Sequence, residues 1–466
     1  MTTPSTSHVR NEGFGVTLVA PLVLGSLLNP INSSMIATAL APIGRAFHVG
    51  VSETVWLVAS LYVTSAVAQP TMGKLADRWG ARRVFLLGLA FVLLGGIVGA
   101  LASSLAVLIS VRILLGIGTS AAYPSAMRVL RTHAQRLGRE TPRPVLGVLS
   151  LAALSSAAVG PTLGGFLTGV AGWRSIFFVN VPLAIAGIVL CLLFVEADEK
   201  RAPARDGAAI DWLGLLLFTG AIVAAMVFAM SVKTSPRFWL VPIALLLIVA
   251  LVLHSRRPGL TEPFLDLRSL AANKALSATY LRFAVTCLLT YVVFYGFAQW
   301  MQDALGYSAT EAGIATLPLS ISAAVASLLG ARTTSIRAPL AFSAFGLLVG
   351  CGGLLVLGDH SSRWALGAVG IVFGVAQGAS AVANQAAVYE QAPAAQIGTA
   401  SGLQRTAGYL GAVGASSLLG FFYGARATSA GLHALAVTMV VLSALLCAGT
   451  LLDPALATAK KSKPSN

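Results

Sequence analysis

Charge is what this sequence has least of. Only 10% of its 466 residues are Asp, Glu, Lys or Arg, where soluble domains carry about a quarter. With 56% hydrophobic residues and a mean hydropathy of +0.83, the chain falls outside the water-soluble classes, and lipid is its natural solvent. Acid is scarcer still. The 16 Asp and Glu against 31 Lys and Arg leave a net charge of +15. That excess invites a nucleic-acid reading, but the cations are scattered through short segments between apolar runs and form no stripe, so no nucleic-acid partner is expected. The four cysteines (Cys191, Cys287, Cys351 and Cys447) each sit alone in an apolar run, which excludes a disulfide framework. The six histidines form no HxxxH or HExxH pair, so no metal is expected. No G-x-x-x-x-G-K-[ST] stretch occurs; no nucleotide or other cofactor is expected, and any driving force must come from a gradient. The polar start, Met1 to Glu12, precedes a run too long for a signal-peptide h-region.

What is present is about fourteen apolar runs, each near the ~20 residues that cross a hydrocarbon core. The expected architecture is an all-α membrane protein. A terminus (1–14) leads to a six-helix bundle (15–195) and a loop (196–210). Two extra transmembrane helices (211–254), a linker (255–276), a second six-helix bundle (277–452) and a basic tail (453–466) follow. Assigning the connecting segments alternately to two sides puts 24 of the 31 cations on one side and 6 on the other, with Arg112 inside a run. Lys and Arg resist translocation, so the crowded side, which carries both termini, is expected to be cytoplasmic. The tail is expected to rest on anionic lipid.

Polar residues inside or between the runs are the candidates for function. Gly73-Lys74-Leu75-Ala76-Asp77-Arg78-Trp79-Gly80-Ala81-Arg82-Arg83 is a dense basic knot between the runs at 54–72 and 84–101, read as a tight loop whose glycines supply unusual backbone conformations. The first run carries Asn29-Pro30-Ile31-Asn32-Ser33-Ser34 at mid-membrane depth, where polar groups must face protein or a wet cavity. Tyr62 and Gln69 lie in the second run. Arg112, in the fourth, reads either as functional or as snorkelling to the interface. The fifth reads Gly147-(x8)-Ser156-(x3)-Gly160-Pro161-Thr162-Leu163-Gly164-Gly165, a smooth face for close helix packing with a proline kink. Tyr291, Phe294, Tyr295 and Gln299 form a stripe at helical spacing; Gln377, Asn384 and Gln385 share a later run, and Gln404-Arg405 opens another. Ala412-Val413-Gly414-Ala415-Ser416 echoes Ala158-Val159-Gly160-Pro161-Thr162, which suggests two similar halves.

These segments resemble the major facilitator superfamily, and within it the fourteen-helix drug:proton antiporters. The resemblance is carried by the knot, by Arg112 with Gly116, by the Gly160-Pro161-x-x-Gly164-Gly165 pattern, and by Gly172-Trp173-Arg174 with Phe177-Phe178-x-Asn180-x-Pro182. Asp211-Trp212-Leu213-Gly214 and Glu262-Pro263-Phe264-Leu265-Asp266-Leu267 mark the fourteen-helix branch. Ser156 stands where that family usually has Gly. The match runs from about residue 25 to 425 and is denser in the first half. It implies a major facilitator fold of two six-helix bundles plus two extra helices. It also implies non-enzymatic, proton-coupled efflux of lipophilic compounds by alternating access, from a monomer in a bacterial cytoplasmic membrane.

The same resemblance implies residue roles. Gly73, Asp77, Arg78, Gly80, Arg82 and Arg83 would form a conformational latch, with Asp77 facing the segment Gly398 to Gly402. Gly147, Ser156, Gly160, Pro161, Gly164 and Gly165 would form the packing hinge. The substrate cavity is expected from Asn29, Asn32, Tyr62, Gln69, Tyr291, Tyr295, Gln299, Gln377 and Asn384. One departure matters: the first helix of such antiporters commonly carries an acid, and here that region offers Ser33 and Ser34. Coupling is therefore expected through Arg112 with boundary acids such as Asp77 and Glu390, and the substrate is expected to be neutral, zwitterionic or anionic rather than dicationic. A lipid or glycolipid flippase or an uncoupled facilitator is the alternative on the same fold. A remote one is an intramembrane serine hydrolase at Gly378-Ala379-Ser380-Ala381, for which His433 lies too near the far membrane face.

Overall fold

The computed structural model describes residues 14–138, 145, 159–198, 211–231, 235–257, 260, 263–264, 272–330, 333, 335–392 and 397–458. Among them there is no strand. Backbone polar groups in lipid must be satisfied within each segment, and among the described residues the apolar runs answer that demand as fourteen principal helices, eleven of them long and apolar enough to cross a membrane. The first bundle holds α1 (Val16–Met35), α2 (Trp56–Trp79), α3 (Ala81–Ala100), α4 (Leu105–Arg136), α5 (Val159–Ala171) and α6 (Asn180–Phe194). The extra pair is α7 (Trp212–Ser231) and α8 (Leu240–Ser255). The second bundle holds α9 (Lys274–Asp303), α10 (Ala309–Gly330), α11 (Arg337–Leu354), α12 (Arg363–Gln391), α13 (Ile397–Tyr423) and α14 (Ser429–Leu452).

Short polar residues start several of these helices by accepting from orphan amides. Ser104 caps α4, Asn273 caps α9, Ser362 caps α12 and Thr428 caps α14, while Ser308 and Glu311 form a reciprocal capping box on α10. Large aliphatic side chains on the outward faces, such as Leu193, Leu246 and Leu445, remain exposed, as lipid contact requires.

The basic knot is not a loop. α2 continues through it to Trp79, and Gly80 alone turns the chain into α3. Gly73 is helical, and a side chain there would meet only Pro124 at 3.7 Å, so the tight backbone expected of it is not found. Gly80, by contrast, has φ +102°, and a Cβ on it would run into the Asp198 side chain. Asp198 explains the turn: its two oxygens accept from the backbone amides of Arg82 (3.1 Å) and Arg83 (3.0 Å), capping the N-terminus of α3. Further cations assigned to connecting segments also lie inside helices, Arg128, Arg131 and Arg136 among them in α4. Arg282 is buried in α9 and paired with Asp453, and α13 begins at Ile397, which places Arg405 two turns inside it. Gly147 and Ser156 lie outside the described residues, as does the side chain of Asp77.

Packing repeats between the halves. Within the first, a Cβ on Gly164 of α5 would overlap the Met35 carbonyl of α1; within the second, one on Gly411 of α13 would overlap the Ala284 carbonyl of α9. Each of these glycine-bearing helices also faces the other bundle. α13 packs on α2, and α5 meets α10, where a Cβ on Gly165 would come within 2.5 Å of the Ala309 oxygen. The α7–α8 hairpin leans through α7 on the α2–α13 seam, with Phe218 and Leu251 packed against Ala66 and near Tyr409.

Candidate functional site

Between the bundles lies a cavity of about 350 Å³, a size that suits a small organic ligand. Asn29, Tyr62, Gln69, Tyr291, Tyr295 and Gln377 line it, together with Ser33, Ser120, Tyr123, Cys287, Arg405 and Tyr409. Among the described residues no carboxylate lines it.

Four tyrosines form its aromatic wall. Tyr62 lies 5.2 Å from Tyr291, 6.5 Å from Tyr295 and 5.7 Å from Tyr409, centroid to centroid, and Tyr291 stacks on Tyr295. The Tyr295 hydroxyl donates to the Ser33 carbonyl at 2.7 Å, so the bond of 2.8 Å with Tyr62 must run from the Tyr62 hydroxyl. Ser33 belongs to α1, Tyr62 to α2 and Tyr295 to α9, and this chain therefore joins the bundles. Tyr295 sits in a π-helical stretch, Val292–Phe297, inside α9; such a bulge re-aims side chains, and no pattern in the sequence announces it.

Beyond the tyrosines, at the end opposite the basic knot, the bundles are fastened by close contacts. Thr310 of α10 donates to the Gly165 carbonyl at 3.0 Å and Thr162 of α5 to the Gly313 carbonyl at 3.2 Å. The Ser52 amide donates to the Gly424 carbonyl at 2.8 Å, and Arg45 reaches Asp303 at 4.0 Å. Toward the basic end two other contacts cross between the bundles. Tyr409 donates to Gln69 at 2.7 Å, and the Arg405 guanidinium lies over the Tyr123 ring at 3.9 Å.

Three expected lining residues are elsewhere. Asn32 is turned away into a reciprocal amide pair with Asn180 of α6 (2.5 and 2.9 Å). Gln299 bonds Thr54 in a separate cavity near the far end, and Asn384 bonds Ser380 within α12. Each is polar because a buried helix contact needs an amide there, which composition cannot distinguish from a cavity role. Arg112 does not snorkel. It is 1% exposed and donates from Nε to the Leu57 carbonyl (2.7 Å) and from Nη1 to the Asn32 carbonyl (2.9 Å), leaving Nη2 without a partner. It meets neither Asp77 nor Glu390 in these bonds; Glu390 is exposed in the last turn of α12. Ser380 and His433 are not brought together: His433 bonds the Leu357 carbonyl at 2.6 Å. Among the described residues no group of three metal-ligating side chains occurs.

Tyr123, Arg405 and Tyr409 were not singled out as lining residues on sequence grounds. The spacing of Arg405 and Tyr409, four apart on one helix, was the available signal once the helix start was placed correctly.

A family model described as Major Facilitator Superfamily matches residues 22–416. The chain belongs to that superfamily. As a major facilitator it is a transporter and not an enzyme. It is 34% identical over 422 residues to an uncharacterized MFS-type transporter, YwoD, of Bacillus subtilis, covering 90% of this chain and 92% of that one. It is 31% identical to the multidrug resistance protein Stp of Mycobacterium tuberculosis (87% and 75% covered) and 27% identical to a tetracenomycin C resistance and export protein of Streptomyces glaucescens (88% and 76%). Among solved structures, a bacterial homolog of the lysosomal transporter Spinster in an inward-facing, unoccupied conformation matches with TM-score 0.67 at 16% identity, over 96% of this chain and 98% of that one. The peptide transporter POT matches with TM-score 0.68 at 17% identity, over 95% and 96%. At such identities these two speak for the fold alone.

Proposed function

We propose that this major facilitator exports lipophilic compounds across a bacterial cytoplasmic membrane by alternating access. The observation that carries the reading is a cavity between two bundles, bounded on one side by breakable polar contacts of Tyr62, Tyr295 and Ser33. The Gly165–Ala309 approach lies beyond them. The drug-resistance relatives support it from outside the structure. With the cation-rich end cytoplasmic, as the 24-to-6 distribution argues, both termini lie in the cytoplasm, and the conformation described is closed toward the exterior.

In this reading Asn29, Tyr62, Gln69, Tyr291, Tyr295 and Gln377 contact substrate. Gly165 forms the surface on which α10 closes, while Gly160 and Gly164 seat α5 against α1. Asp77, Arg78, Arg82 and Arg83 latch the cytoplasmic end in the opposite state, with Asp77 against the positive end of α13. The protein works as a monomer, with lipid as its only obligatory neighbour. Its substrates are neutral, zwitterionic or anionic, because the cavity offers no carboxylate to a cation.

Proton coupling then runs through Arg112, whose free Nη2 gives it a spare donor, and the boundary acids Asp77 and Glu390. The same acid-free cavity favours an uncoupled facilitator or lipid flippase as the second reading. Purified protein in liposomes with an imposed pH gradient and a pH-sensitive dye separates the two. A lipophilic compound that dissipates the gradient in wild type but not in Asp77→Asn or Arg112→Ala supports antiport. Compounds or lipids that cross with no proton signal give the facilitator or flippase reading its place, and no movement at all removes both.

A further inference from the structure

Among the described residues the cavity wall carries one ionised side chain, that of Arg405. The Arg405 guanidinium carbon lies 3.9 Å over the Tyr123 ring, and none of the ion pairs among the described residues involves it. A guanidinium over a ring keeps N–H groups for a planar or tetrahedral anion. Arg405 is half-buried, eight residues into α13 and about 12 Å along the helix from its start. Arg112, behind Tyr62 and Tyr295, adds a second positive charge whose hydrogen bonds go to backbone carbonyls. Two further features give the site a shape. Tyr409, one turn after Arg405 on the same face, is the near edge of the tyrosine wall. Ser120, one turn before Tyr123 on α4, is 2% exposed, lines the cavity and has a hydroxyl with no hydrogen-bond partner.

We infer that the cavity is selective for aromatic organic anions, with the anionic group on Arg405 and Ser120 and the ring against Tyr409 and Tyr62. The charge and the ring of such a ligand sit about one helical turn apart, on the order of 5 Å. Cations of the same shape are rejected by charge alone. This inference rests on the cavity being the substrate site.

The test uses the purified full-length chain in lipid nanodiscs and three probes of one shape and fixed charge: naphthalene-2-sulfonate, naphthalene-2-sulfonamide and 2-naphthyltrimethylammonium. Calorimetry should find the sulfonate bound about tenfold or more tighter than the sulfonamide, the surplus a charge-assisted bond gives over a neutral one, and the ammonium weakest. Arg405→Gln should bring the sulfonate down to the level of the sulfonamide. The sulfonamide should lose far less affinity than the sulfonate, and a melting temperature like that of wild type certifies that the variant folds. Arg405→Lys should keep part of the preference. Equal binding of sulfonate and sulfonamide to wild type, no binding of any probe, or a preference that survives Arg405→Gln would each overturn the proposal. Liposome flux separates the two readings. An Arg405-dependent preference without any flux sinks the export reading and leaves the anion site. Flux without the preference does the reverse.

Discussion

Tyr295 holds the carbonyl of Ser33 at 2.7 Å across the boundary between the two bundles, and the same hydroxyl accepts from Tyr62. One oxygen thus fastens α9 to both α1 and α2 beside the cavity. Each such bond contributes about 1 kcal/mol net, so losing two shifts the balance of states by roughly thirtyfold. Tyr295→Phe, which keeps the ring packing on Tyr291, is expected to open the far end more often. A cysteine at Thr54, fully buried in this conformation, should react faster with a membrane-impermeant maleimide added from outside in the Tyr295→Phe background. An unchanged rate would show that the hydroxyl does not fasten the bundles.

Gly164 and Gly165 are neighbours with different jobs. A side chain on Gly164 strikes the Met35 carbonyl of α1, within its own bundle; one on Gly165 strikes the Ala309 carbonyl of α10, in the other. Gly164→Leu should therefore lower thermal stability and expression, since overpacking against backbone costs about 1–3 kcal/mol. Gly165→Ala should leave the melting temperature nearly unchanged and raise exterior accessibility of the Thr54 cysteine. If both variants merely destabilise, the α5–α10 contact is not a moving one.

The number and order of the helices were legible in the sequence because lipid leaves a segment of twenty apolar residues no other solution. What each polar residue does was legible only in part. Tyr62, Gln69 and Tyr291 line the cavity, yet Asn32, Gln299 and Asn384 spend their amides on partners within the protein. Hydropathy reports that a buried polar group needs a partner and not whether the partner is substrate. Charged helix ends misled in the opposite direction. The knot from Gly73 to Trp79 reads as loop because its side chains are polar, but the helix backbone continues through it, and Arg405, read as opening its helix, lies two turns inside it. Asp198, which holds the Gly80 turn, sits more than a hundred residues from it, beyond the reach of any local pattern.

That turn gives a sharp contrast between two glycines of one motif. Gly80 has φ +102° and no room for a Cβ beside Asp198, whereas Gly73 is helical and a Cβ there would make only an ordinary contact with Pro124. Gly80→Ala should depress folding yield and melting temperature markedly, and Gly73→Ala should be neutral or slightly stabilising in this conformation. Asp198→Asn should fall between them, losing about 1 kcal/mol of cap. Melting curves of the three detergent-purified variants, ranked against wild type, check the order. A Gly73→Ala that melts below Gly80→Ala would refute the account of the turn.

The α7–α8 hairpin should respond to acid. Asp211, just outside α7, is buried, and burial alone would raise its pKa. The amides of Phe264 (2.9 Å) and Gly214 (2.8 Å), with the His254 imidazole at 2.6 Å, outweigh that and hold the carboxyl below its usual range. A carboxyl depressed in the fold adds stability that is complete above its unfolded pKa, about 3.9, and is lost as the pH falls through the lower folded value. Asp211→Asn keeps the shape but turns an amide donor toward one of these donors. At pH 7 it should cost about 2 kcal/mol, seen as a lower melting temperature or faster proteolysis between α8 and α9. The gap between variant and wild type should narrow steadily as the pH is taken below about 4. A gap that stays constant from pH 7 to pH 3 would mean that the charge on Asp211 contributes nothing and that packing of Phe218 on Phe264 holds the hairpin by itself.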